Sequence, residues 1–122
     1  MEDLTVGLVE TIHNRIIAIE TGDCRVLSEA NLLQMVFQAN LIPECVARAA
    51  FIIYFLSAYP AFRERNQRTA LELAVQCLEE GGYGIDPVDL VHLERLSEGI
   101  IAFTTDLSDI ESWLADHTRR MK

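Results

Sequence analysis

The sequence predicts an all-α fold, a compact bundle of about six helices around a buried central one. Three observations carry this expectation. Apolar residues recur at three- and four-residue spacings along most of the chain. No run of alternating β-branched residues is long enough to make a strand. One segment, RAAFIIYFLSAY, is apolar almost all round, which suits a helix enclosed by others and not one lying on a surface. At 122 residues, half of them hydrophobic and only three of them proline, the chain reads as a single helical domain over 1–122.

Thr5 caps a first helix whose apolar face is Leu8, Val9, Ile12, Ile16 and Ile19, and Thr21 with Gly22 ends it. A second helix starts at Ser28 and shows Leu32, Leu33, Val36 and Phe37. Pro43 suits the first turn of a third helix over 44–58, because a missing N–H costs nothing there. This is the expected central helix, and Tyr59 followed by Pro60 must end it, since a residue before proline avoids the α region. After a loop over 60–65, a fourth helix runs over 66–80 with Ala70, Leu71, Ala74, Val75 and Leu78 inward, and Gly81 and Gly82 stop it. Asp86 and Pro87 start a fifth helix carrying Val88, Val91 and Leu96. Ser108 and Glu111 form a capping box for a last helix with Ile110, Trp113 and Leu114. No sheet is expected.

Composition narrows the function classes. Ten basic against nineteen acidic residues give a formal charge of -9, which repels a polyphosphate backbone and argues against nucleic acid as the main partner. The longest apolar run, 49–56, falls far short of the ~20 residues that a bilayer span needs, so no membrane association is expected. Glu2 and Asp3 stand where a secretory signal would carry basic residues, which points to the cytoplasm. Cys24, Cys45 and Cys77 read as reduced, partly buried thiols with neither disulfide nor zinc spacing. Arg63, Arg65 and Arg68, with Arg48 further back, are the one candidate basic patch. His13 reads as a hydrogen-bonded structural residue, and His92 and His117 have no second ligand at fixed spacing.

The loop and helix start, PAFRERNQRT, bring chemistry-bearing residues together. A helix N-terminus offers unpaired N–H groups and the positive end of the macrodipole, so Asn66 and Arg68 there suit a phosphate, with Arg68 as a bidentate clamp. Glu64 could hold Mg²⁺, but only through such a phosphate. The same residues also read simply as a solvated helix start.

The stretch PAFRERNQRTALELAVQCLEEGGYGI resembles the motif of the Fic/Doc family, the filamentation and death-on-curing proteins, H-x-F-x-(D/E)-G-N-(K/G)-R. Phe62, Glu64, Asn66 and Arg68 match it. Outside the motif, Thr69-Ala70-Leu71 and Gly81-Gly82-Tyr83 resemble the T-A-L and N-G-Y that follow it in death-on-curing proteins. Ile12-His13, Leu32-Leu33, Ala49-Ala50, Ser97-Glu98-Gly99 and Trp113-Leu114 extend the resemblance over nearly the whole chain. It implies a six-helix fold and a reaction that moves AMP or a phosphoryl group from a nucleotide to a protein hydroxyl, with the motif His as base, the acidic residue on Mg²⁺ and the following residues around the phosphates.

The departures fall at defined places. Pro60 takes the His position and has no titratable group, so no catalytic residue is assigned. Arg65 takes the Gly position, where its side chain should crowd the phosphate, and Gln67 takes the Lys position. Ser28-Glu29 replace an Arg-Asp pair, and the link between the second and third helices is short. Losing a general base typically costs 10²–10⁴-fold in rate, and the phenol of Tyr59 next door is a poor base near pH 7. The expectation is a degenerate Fic/Doc-like protein, inactive as a transferase and acting through a protein partner, either an antitoxin-like segment laid in a groove or a second copy. Phe62, Glu64, Arg65, Asn66, Gln67 and Arg68 are then the remains of a nucleotide site. No cofactor is expected, and Mg-ATP only if that site still functions. The alternatives are an active transferase with a displaced base, and an unrelated helical interaction domain.

Overall fold

In a computed structural model, which describes residues 2–121, the chain is all-α. Its helices are α1 (Val6–Glu20), α2 (Glu29–Asn40), α3 (Cys45–Ala58), α4 (Asn66–Glu80), α5 (Pro87–Ile101) and α6 (Leu107–His117). A clasp of two-residue strands, β1 (Tyr83–Gly84) and β2 (Arg119–Arg120), pairs antiparallel and ties the C-terminal end back to the turn after α4. The clasp corrects the expectation of no sheet; two residues are too few to leave an alternating pattern.

The central helix is α3. One of its faces sends Ile52 and Leu56 into a cluster with Val9, Ile12 and Ile16 of α1 and Leu32, Met35 and Ala39 of α2. The other sends Ala49, Ala50 and Ile53 into a second cluster with Leu93 and Ile100 of α5 and Ile110 and Leu114 of α6. Helix α4 is shared in the same way, with Ala70 and Leu73 in the first cluster and Leu71, Ala74 and Leu78 in the second. A helix between two apolar clusters has no polar face to show, which is why its sequence lacks amphipathic contrast.

The caps follow local chemistry. Thr5 and Ser28 accept from the backbone N–H groups of Leu8 and Asn31, as their hydroxyls at the N-cap predict. Glu44 caps α3 by accepting from Val46 and Ala47 N–H, so Pro43 lies just before the helix and not in its first turn. The last helix begins earlier than expected, because Asp106 and Asp109 form the capping box, not Ser108 and Glu111. Ser108 instead donates its hydroxyl to Asp106.

Several inward assignments are also corrected. Ile19, Leu33, Phe37, Val88 and Val91 are all at least half exposed. A helical period marks an apolar face, but only neighbouring helices decide whether that face is covered. Arg48 is buried on α3, where it donates to the carbonyls of Ile42, Glu2 and Asn40, so it belongs to no basic patch. Cys24 is exposed, while Cys45 and Cys77 are buried, and burial pushes the Cys77 thiol up to about 11. No helix among the described residues is long and apolar enough to cross a membrane.

Candidate functional site

The residues over 60–68 do meet, in a tight loop that leads into α4. Its outer strand-like edge pairs with the segment before α2: Val26 and Phe62 bridge antiparallel, Ala61 O accepts from Leu27 N at 2.8 Å and Ser28 N at 3.0 Å, and Arg63 N donates to Arg25 O at 3.1 Å. Phe62 is buried and lies flat on the ring of His13, with centroids 3.7 Å apart and planes 7° from parallel. The other side of that contact is a hydrogen bond, His13 Nε2 to Glu64 O at 2.9 Å. A carbonyl can only accept, so Nε2 carries the proton, and the buried Nδ1 has no partner among the described residues. The hydrogen bond expected of His13 is thus present.

Asn66 closes the loop from inside. Its Oδ1 accepts from both Ala61 N (3.0 Å) and Phe62 N (2.9 Å), and its Nδ2 donates to Phe62 O at 2.8 Å. A carboxamide can do both because it presents an acceptor and a donor side by side. Asn66 therefore has its oxygen filled and one of its two N–H groups committed before any ligand arrives.

The remaining motif residues are also engaged within the chain. Arg65 sits at φ 64°, ψ 27°, the left-handed region where glycine is at home. Its side chain lines the cleft beside the start of α4. It runs back to α1, donating to Thr21 O at 3.2 Å and Glu20 O at 3.0 Å. A cation is favoured there, where the last carbonyls of a helix are unpaired and its dipole is negative. Gln67 Nε2 bridges to α5 through Glu94 O and Ser97 Oγ, both at 2.9 Å. Arg68 pairs with Glu20 at 3.0 Å and Glu72 at 3.6 Å. Glu64 accepts from Asp23 N at 2.5 Å, across the turn after α1.

The first turn of α4 opens on a cleft of about 400 Å³. Its walls carry the carboxylates of Glu20, Glu64, Glu94 and Glu98 against the guanidinium groups of Arg63, Arg65 and Arg68. Among the described residues, four negative groups against three positive ones leave an excess of one negative charge, a setting that does not draw in a polyphosphate. Among the described residues no group of three or more His, Cys, Asp or Glu is placed to hold a metal ion. Pro60 offers only its carbonyl, which accepts from Asn31 Nδ2 at 3.0 Å.

Two buried polar groups were invisible in the sequence. His13 Nδ1 is one; the other is Ser57 Oγ on α3, buried without a hydrogen-bond partner among the described residues. No spacing marks either atom as unpartnered, because orphaned atoms are defined by what the fold fails to bring near them. No family model matches this chain, and no curated protein sequence matches it.

Proposed function

We propose that the chain is a degenerate Fic/Doc-like protein, a pseudoenzyme without AMP- or phosphoryl-transfer activity that works by binding a protein partner in the cytoplasm. The observation that supports it best is the engagement of the 60–68 loop. Pro60 stands at the position of the base, and Asn66, Gln67 and Arg68, the residues that would meet a nucleotide, are bound to the loop's own backbone, to α5 and to two glutamates. Without a base the family reaction loses ~10²–10⁴-fold in rate, and the net negative cleft adds to that loss.

Protein binding is supported by the outer face of α2. Leu33, Phe37 and Leu41 follow one another at four-residue spacing and are 52%, 58% and 67% exposed. Along α3 and its C-cap, the rings of Phe51, Phe55 and Tyr59 follow one another with centroids 5.3 and 5.0 Å apart and planes tilted by 33° and 41°. Between residues 30 and 62 the only charged side chains are Glu44, spent on the α3 cap, and Arg48, which is buried. An exposed apolar row on a segment this free of charge suits an amphipathic helix, either an antitoxin-like segment or the same row of a second copy.

The test of the proposal is transfer from ATP labelled at the α or the γ position to proteins of a cell extract. The wild-type chain should transfer neither label, while a Pro60→His, Arg65→Gly double variant should gain nucleotide binding. Transfer of either label by the wild-type chain would sink it.

A further inference from the structure

Sharing Ser57, Pro60 and Ile101 with the cleft beside α4, the C-terminal ends of α3 and α5 and the start of α6 line a second cleft, of about 540 Å³. Three independent features of its wall point the same way.

The first is Phe103, in the turn between α5 and α6. Thr104 N donates to Gly99 O at 2.8 Å and Phe103 N to Ile100 O at 3.2 Å, the paired bonds of a Schellman ending, which place Phe103 at the position where a helix usually has glycine. Its φ is 62°, a conformation that a bulky side chain adopts only at a cost. Its ring is 95% exposed, so no burial within the chain offsets that cost. The fold holds an aromatic ring out into the cleft mouth against its own preference.

The second is Ser57, which is 7% exposed, lines the cleft and has a buried hydroxyl without a partner among the described residues. A hydroxyl buried in that way retains an unused donor and acceptor, a standing cost that a ligand group would remove once the side chain turns towards the cleft. The third is charge. Asp106 and Asp109 line the cleft, and among the described residues no Lys or Arg does. The hydroxyl of Ser108 and the backbone N–H of Asp109 hold the Asp106 carboxyl below the usual range, so it is ionised throughout the neutral region. Tyr54 and Tyr59 add two more rings to the wall.

We infer that this cleft is a binding site for an organic cation, an ammonium or guanidinium group carried on an apolar or aromatic body. Ring faces attract such a cation through their quadrupoles, and the exposed carboxylates of Asp106 and Asp109 at the rim add to the attraction. The ring of Phe103 closes over the bound group, and the body of the ligand covers Tyr59 and Ile101. The cation could belong to a free amine or to a basic side chain of another protein, since the chemistry is the same. Pro60 lines this cleft as well, but the inference does not depend on the transferase resemblance, because Ser57, Phe103, Asp106 and Asp109 lie outside the 60–68 motif.

The experiment follows the amide NMR spectrum of the full chain during titration with three probes: phenethylammonium, 3-phenylpropanoate, which has the same ring and the opposite charge, and the capped dipeptide acetyl-Trp-Arg-amide. Phenethylammonium or the dipeptide should shift signals over 54–60 and 100–109 and saturate with a Kd of about 0.1–1 mM, and the carboxylate should bind at least ~10-fold more weakly. Tighter binding of the amine identifies a free small molecule as the source, and tighter binding of the dipeptide identifies a protein side chain. Phe103→Gly should lose binding ~10-fold while raising the melting temperature by about 3 °C, a combination that a merely structural Phe103 would not give. If that variant loosens the turn, Phe103→Asn, also at ease at positive φ, carries the same comparison. No shifts at about 10 mM of either cation, equal binding of the carboxylate, or unchanged binding by the Phe103 variants would overturn the inference.

Discussion

Asn66 holds three backbone groups of the preceding loop with one carboxamide, and that single side chain decides the shape of the whole candidate site. Asn66→Asp keeps the acceptor and loses the donor, setting a carboxylate against the carbonyl of Phe62. The expected cost is ~1–3 kcal/mol in urea unfolding; an unchanged midpoint would mean that the loop is held by other contacts. A few residues away, the Arg25 guanidinium, by its side-chain hydrogen bond, lowers the Asp23 carboxyl from 3.8 to about 2. A carboxyl depressed by folding stabilises the native state above its unfolded value, and that contribution fades as pH falls from about 4 through about 2. Titration of the Asp23 carboxyl carbon by NMR should show the low value, and Arg25→Ala should return it towards 3.8.

Between residue and helix, glycine sets the packing of the α4 ending. A Cβ on Gly81 would stand 2.8 Å from Cys45 Cβ and closer still to its sulfur, so α4 can end against the first turn of α3 only with glycine there. Gly81→Ala should cost ~1–3 kcal/mol by thermal unfolding, against the usual helix preference for alanine. A neutral or stabilising result would show that the two helices have room to separate. The element boundaries were largely legible in the chain, because Thr5, Ser28, Pro60 and Pro87 act on the backbone within a few residues of themselves. The α6 cap was misplaced because Asp106 and Ser108 both suit an N-cap, and choosing between them takes the path of the turn from α5. The outer face of α2 was read as inward for a related reason. Its Leu33 and Phe37 share the apolar period with Leu32 and Val36, and only the position of α3 separates covered from bare.

Across the whole molecule, α3 and α4 hold the two apolar clusters together, and the 60–68 loop is the corner between them. The sequence identified that corner and the residue types in it. It could not identify their partners: the backbone of residues 61 and 62 for Asn66, the end of α1 for Arg65 and Glu20 for Arg68 lie up to 48 residues away or in the main chain. Polar residues that resemble a phosphate cradle are here the fastenings of the corner itself, and the cleft beside them carries more negative than positive groups. The most direct measurement is a calorimetric titration of the wild-type chain with Mg-ATP. A Kd weaker than about 1 mM is the expected result, and a micromolar Kd, some 4 kcal/mol stronger, would contradict the structural reading of Asn66 and Arg68.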